Sequence, residues 1–159
     1  MEVYLFRHGE ADAVGVEGDE ARPLTADGRR DTLAIGEALL RTGVKPDAIW
    51  TSPLLRARQT GEILQGILAV SAQSDERLRP GATLGGVQAL VSEHDYARLM
   101  LVGHEPDMSG LVYQLTGKRV KMQTSGVARV DLDRVEPGQG VLVWVTSPDR
   151  LSAPNANRR

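Results

Sequence analysis

The chain contains no cysteine. Disulfide staples, thiolate zinc sites, iron–sulfur clusters and cysteine nucleophiles are therefore excluded together. Aromatic residues are scarce, two Trp, three Tyr and one Phe in 159 residues, too few to build the stacking platforms that hold single-stranded nucleic acid. Neither sign of charge dominates: 19 Lys and Arg face 21 Asp and Glu. No whole-molecule field draws the chain onto nucleic acid or an anionic membrane. No apolar run approaches the ~20 residues that span a bilayer, and the first residues carry neither a basic segment nor a small-residue cleavage site. These absences lead us to expect a soluble, cytoplasmic, monomeric protein with no nucleic-acid and no membrane partner.

What is present suffices for one core. With 41% of 159 residues hydrophobic, a single domain is expected over residues 1–150. A flexible tail is expected over 151–159, where Pro, Asn and Arg occur without an apolar anchor. Short apolar runs alternate with longer amphipathic stretches, which predicts an α/β fold with a largely parallel sheet. Strands are expected at 3–6, 48–50 and 99–102, the last a continuous apolar run suited to a buried central position. An edge strand is expected over 72–78. Helices are expected from an N-cap at Thr25 to about Thr42, from Pro53, over 83–92, and from Pro106 to about Gly117. Runs at 127–132 and 141–145 flank the turn cluster Glu136-Pro137-Gly138-Gln139-Gly140 and predict a hairpin.

Open α/β sheets bind ligands beyond the carboxyl ends of their strands. Three expected strands run into Arg7-His8-Gly9-Glu10, Thr51-Ser52-Pro53-Leu54-Leu55-Arg56 and Gly103-His104-Glu105-Pro106. Taken singly, each histidine reads as a loop residue, and Arg56, two residues from Arg58, as a surface arginine. Taken together, two guanidinium groups and two imidazoles at one sheet edge suit a compact dianion such as a phosphoryl group, with no metal required. Gly9 and Gly103 lack side chains, so we expect backbone to approach the ligand there.

These three segments resemble the motifs of the histidine phosphatase superfamily, the phosphoglycerate-mutase-like fold, from Arg7-His8-Gly9-Glu10 through Ser52-Pro53-Leu54-Leu55-Arg56-Ala57-Arg58-Gln59-Thr60 to Val102-Gly103-His104-Glu105-Pro106. Arg22-Pro23-Leu24-Thr25, Gly28, and Thr124-Ser125-Gly126 with Trp144 resemble its small SixA-type phosphohistidine phosphatases. The resemblance implies a three-layer α/β/α sandwich with a mostly parallel central sheet. It implies His8 as a nucleophile that becomes phosphorylated, and Arg7, Arg56 and protonated His104 as holders of the phosphoryl oxygens. Gly9 and Ser125 are expected to bind substrate, and no cofactor or metal is implied. For one ring nitrogen of His8 to attack, the other is expected to donate to a fixed acceptor such as a backbone carbonyl.

Phosphoester-cleaving members of the family also carry a glutamate after the second motif. The corresponding segment, 77–82, has none, and Glu76 falls inside the expected strand. Without a proton an alkoxide leaves poorly, whereas a ring-protonated phosphohistidine releases neutral imidazole, whose conjugate acid has a pKa of ~6.5. Glu10, Asp12 and Glu105 are candidate proton donors that read more readily as loop, solvent-facing and capping residues. Glu17, Asp19 and Glu20 are expected to solvate their loop. No segment is long enough for a lid. The leading expectation is a metal-independent phosphatase acting on a phosphorylated protein, a histidine-phosphotransfer domain or phosphocarrier, and releasing inorganic phosphate. A small-molecule phosphomonoesterase and a non-catalytic phosphate-binding module are the alternatives. His94 is expected at the surface, Trp50 and Trp144 in packing, and Ser52 as a turn or cap residue.

Overall fold

The computed structural model describes residues 1–152. Of the expected tail, 151 and 152 end a short helix and the remainder lies outside the described residues. The strands are β1 (Glu2–Arg7), β2 (Ala48–Thr51), β3 (Ala72–Ser74), β4 (Arg98–Gly103), β5 (Val127–Asp131) and β6 (Val141–Thr146). The helices are α1 (Ala26–Arg41), α2 (Leu55–Leu68), α3 (Leu84–Ser92), α4 (Asp107–Thr116) and α5 (Pro148–Ser152). Short 3-10 turns occupy Asp19–Ala21 and Glu76–Leu78.

The strands form one sheet in the order β3-β2-β4-β1-β5-β6. The first four are mutually parallel, and β5 and β6 are antiparallel additions, paired as the expected hairpin. Strands covered on both faces read as unbroken apolar runs, and β1 and β4 obey this. Val3, Leu5, Leu99 and Leu101 join α4 residues Leu111 and Leu115 in one buried cluster. Tyr4, Phe6, Met100 and Val102 join Ile35 and Leu39 of α1 and Leu64 of α2 in the other. The result is the expected three-layer sandwich with a mostly parallel sheet.

Register places the chemistry. Phe6 pairs with Val102 and Arg7 with Gly103, while Thr51 pairs with Val102. The residues that follow, His8, His104 and Ser52, therefore emerge side by side at one edge.

Local capping follows the sequence closely at α1, where Thr25 Oγ1 accepts the Gly28 N–H at 2.9 Å, and at α3, where Thr83 does the same for Gly86 at 3.0 Å. Three expectations are corrected. Pro53 does not begin a helix: the Leu54 N–H is held by Ser52 Oγ at 3.2 Å and α2 starts at Leu55. The expected edge strand over 72–78 ends at Ser74, because Asp75 caps a 3-10 turn through the Arg77 N–H. Glu76 consequently lies in that turn, beyond the strand.

Candidate active site

His8, just past β1, is buried, and its Nδ1 lies 2.6 Å from the Gly9 carbonyl oxygen. A carbonyl only accepts, so Nδ1 carries the proton and Nε2 presents a lone pair. That lone pair receives the Arg56 Nε–H at 3.3 Å. Burial, first, and the charges of Arg56 and Arg7 push the His8 pKa down to about 4, against the opposing effect of the Gly9 carbonyl. The ring is neutral at ordinary pH, as a nucleophile requires.

Helix α2 supports this arrangement with successive turns of one face. Arg56 is 5% exposed, and Thr60 one turn later is fully buried. Thr60 Oγ1 donates to the Arg56 carbonyl at 2.8 Å and accepts the Gly9 N–H at 3.0 Å. Gly9 is thus occupied as a donor by the protein itself. A Cβ at Gly9 would stand 2.8 Å from Thr32 Oγ1 and 2.9 Å from the Gly28 carbonyl oxygen, and one at Gly103 would stand 2.7 Å from Met108 Cε. At Gly9 a side chain would meet backbone beneath the site, while at Gly103 it would meet the flexible end of Met108.

Just past β4, His104 Nε2 lies 2.8 Å from Ser52 Oγ. The hydroxyl accepts the Leu54 N–H and keeps its proton and a second lone pair; donating that proton to Nε2 gives the tautomer with Nδ1–H, the form that can hold an anionic oxygen. Burial, then the neighbouring His8 and Arg56, depress the His104 pKa to about 3. In these surroundings the ring is neutral at ordinary pH, whereas the protonated form that the resemblance implies belongs to a site holding a phosphoryl dianion, whose charge raises the ring's pKa. The two histidine rings stand 5.1 Å apart, centroid to centroid. Arg7 is anchored by Nη1 to the Met122 carbonyl at 3.0 Å. Among the described residues, the buried side-chain polar atoms without a partner are Arg7 Nε and His104 Nδ1. Both belong to this site, and unsatisfied buried donors mark where a ligand is to be held.

The side chains line a cleft of about 460 Å³ that also includes Glu10, Asp19, Arg22 and Glu105. A hollow of about 490 Å³ lies at the opposite sheet edge. Of its charged lining residues, Glu2 pairs with Arg98, and Glu2 and Asp131 both pair with Arg129.

Sequence reasoning missed Asp19. Far from only solvating its loop, it accepts from Arg56 through its backbone oxygen at 2.9 Å and its Oδ2 at 3.2 Å, and from Arg22 through Oδ1 at 3.0 Å. Glu20 beside it pairs with Arg79, which also pairs with Glu76. Asp19–Arg22 and Glu76–Arg79 are three residues apart and local, whereas Asp19–Arg56 and Glu20–Arg79 are brought together only by the fold. Glu10 receives the Thr25 hydroxyl, and both Glu105 oxygens are taken by Ser109. Ser125 is fully buried against Thr32, 2.9 Å between hydroxyls, and its N–H reaches the carbonyls of Arg7 and His8. It supports the end of β1 from behind, and Thr124 rather than Ser125 lines the cleft. His94 is exposed, stacked on Tyr96 beside Trp50, and no group of three or more metal-ligating side chains assembles among the described residues.

A buried neutral histidine at the end of a parallel strand, faced by two arginines and a second histidine, defines a phosphoryl-handling α/β enzyme. The chain belongs to the histidine phosphatase superfamily: the family model of branch 1 matches residues 3–81. It is 34% identical to the phosphohistidine phosphatase SixA of Escherichia coli over 164 aligned positions, covering 98% of this chain and 99% of that one. A solved structure of the protein histidine phosphatase SixA complexed with tungstate superposes with a TM-score of 0.84 at 34% identity, over 95% of this chain and 99% of that one. A SixA-like protein of Agrobacterium tumefaciens, described as a putative phosphohistidine phosphatase, superposes with a TM-score of 0.80 at 25% identity, over 92% and 97%. The protein is accordingly a phosphatase of this superfamily.

Proposed function

We propose that the protein hydrolyses phosphohistidine on another protein, with His8 as the nucleophile. The observation that carries the reading is the pairing of a neutral His8, its Nε2 lone pair aimed at Arg56, with two unpartnered buried donors, Arg7 Nε and His104 Nδ1. A phosphoryl group seated among them would be attacked in line by Nε2 while Arg7, Arg56 and His104 hold its oxygens. The N–P bond forms as the bond to the substrate's imidazole breaks, its electron pair returning to the leaving nitrogen. Water then attacks the phosphorylated His8 and releases inorganic phosphate.

Three features favour a phosphorus–nitrogen bond over a phosphoester. Glu76, the nearest glutamate to the expected proton-donor position, is tied to Arg79 on an exposed turn. The carboxyls of Glu10 and Glu105 are engaged by Thr25 and Ser109. Asp19 is held below the usual carboxylate range, chiefly by Arg22 and with Arg56 contributing, and so stays ionised. An alkoxide leaving group would find no proton, whereas a protonated imidazole needs none. The likeness to SixA, a phosphohistidine phosphatase by name, and to its complex with the tetrahedral oxyanion tungstate points the same way.

The test is an acid-free quench of the enzyme with a labelled phosphohistidine protein. Base-stable, acid-labile label on His8 and release of phosphate, both absent in His8→Ala, are expected. Turnover of sugar phosphates far above phosphohistidine would reject the substrate class while leaving the nucleophile intact.

A further inference from the structure

The rim of the cleft offers the leaving group a different environment from its floor. Arg56 is shared between the two. Its Nε meets His8 Nε2 at 3.3 Å, while Nη1 and Nη2 meet the backbone oxygen and Oδ2 of Asp19 at 2.9 and 3.2 Å. A phosphoryl group lying along this guanidinium has the attacking nitrogen at one end and the Asp19 side at the other. In-line displacement puts the departing atom opposite the attacker, so the leaving group emerges towards Asp19.

Resting on the phosphohistidine reading above, we infer that Asp19 is the specificity-determining residue for the leaving group, its carboxylate accepting a hydrogen bond from the ring N–H of the substrate's protonated phosphoimidazole. Geometry supports this beyond position. The Asp19 side chain is half exposed, 50%, where that of Arg56 is 7%, so it reaches both the buried guanidinium and an incoming ring. Each of its oxygens receives one arginine donor, leaving acceptor capacity on both. Its loop is braced from two further directions, by Arg22 donating to the Asp12 carbonyl and by Glu20 on Arg79. The charged groups around it are Arg22 on its own loop, Arg56 from α2, and, from the 3-10 turn after β3 and the residue beyond it, Glu76 and Arg79. Glu10 lies across the cleft.

The protonated ring carries the positive charge in the bound substrate. As the P–N bond breaks, the electron pair returns to the ring, which departs as neutral imidazole with its N–H retained. Asp19 thus acts on the population of the reactive, ring-protonated substrate. An opposite charge within hydrogen-bond reach raises such a pKa by about one unit or more, a tenfold gain in that population above the ring's own pKa.

The experiment compares N-phosphoimidazole with p-nitrophenyl phosphate, whose phenolate leaves without a proton, across pH 5 to 8 with the spontaneous rate subtracted. For Asp19→Asn the ratio of kcat at saturating phosphoimidazole to that on the aryl phosphate is expected to fall about tenfold at pH 8 and to return towards the wild-type ratio at pH 5, where the bound ring is protonated without help. Asp19→Glu is expected to restore part of the ratio. A loss equal on both substrates at every pH would reduce Asp19 to a positioning residue for Arg56 and overturn the inference, as would an unchanged ratio. Failure of the substrate reading is distinct: there the wild-type enzyme cleaves the aryl phosphate and no phosphoramidate.

Discussion

At the scale of single residues, two histidines do different work because different atoms hold their outer nitrogens. The Gly9 carbonyl accepts a hydrogen bond from His8 Nδ1–H, leaving the Nε2 lone pair as the nucleophile, while a hydrogen bond donated by Ser52 to His104 Nε2 leaves Nδ1–H as a donor. Ser52→Ala removes that second instruction. Binding of vanadate or inorganic phosphate should weaken about tenfold, the equivalent of ~1.4 kcal/mol for one hydrogen bond to a charged ligand, and the thermal transition should fall, because the Leu54 N–H and His104 Nε2 lose a buried partner. A displacement titration on the variant checks this. The His8 pKa of about 4 sets a second expectation. Protonation removes the lone pair, so kcat/KM on an aryl phosphate, corrected for substrate ionisation, should hold down to about pH 5 and fall tenfold per unit below about pH 4. An acid limb near the ordinary imidazole value would mean that His8 is solvated in the free enzyme.

At the scale of elements, the loop after β1 and helix α1 approach so closely that side chains are excluded between them. A Cβ at Gly28 would stand 2.1 Å from the Glu10 carbonyl oxygen, and backbone cannot rotate away as a side chain can. Gly28→Ala should lower stability by about 3 kcal/mol and displace the loop that carries Glu10 and Asp19, reducing activity as well. Gly66 on α2 is the control: nothing lies within 4 Å of its Cβ position, and Gly66→Ala should stabilise by about 0.5–1 kcal/mol through helix propensity. Thermal melts of the two variants should therefore move in opposite directions.

At the scale of the whole molecule, burying neutral histidines links the fold to pH. His8 and His104 have folded-state values of about 4 and about 3, below the 6.5 of the exposed ring. Between pH 6.5 and the folded values the unfolded chain binds protons that the native state refuses. Stability is therefore complete above pH 6.5 and declines as pH falls, by up to about 1.4 kcal/mol per pH unit for each ring. Urea midpoints at pH 7, 5.5 and 4.5 should drop progressively, and the drop should be smaller in a His8→Asn, His104→Asn double variant. Saturating phosphate should raise the midpoint by mass action, since only the native state assembles Arg7, Arg56 and His104.

The sequence by itself determined what depends on local pattern. Apolar runs in β1 and β4, the Thr25 and Thr83 caps and the turn before β6 are written in neighbouring residues, so the layers and the parallel sheet were legible, as was the meeting of Arg7, His8 and His104 at strand ends with Arg56 at the start of α2. Boundaries set by a few competing hydrogen bonds, at Pro53 and beyond Ser74, were not. Tertiary structure alone decided which partner each functional group meets. Asp19 and Arg56 lie 37 positions apart, Ser52 and His104 52 apart, and Thr32 and Ser125 93 apart. No periodicity encodes such pairs, because their geometry arises from strand register and helix packing. The same packing buries both imidazoles, which is why their pKa values fall below that of a free ring.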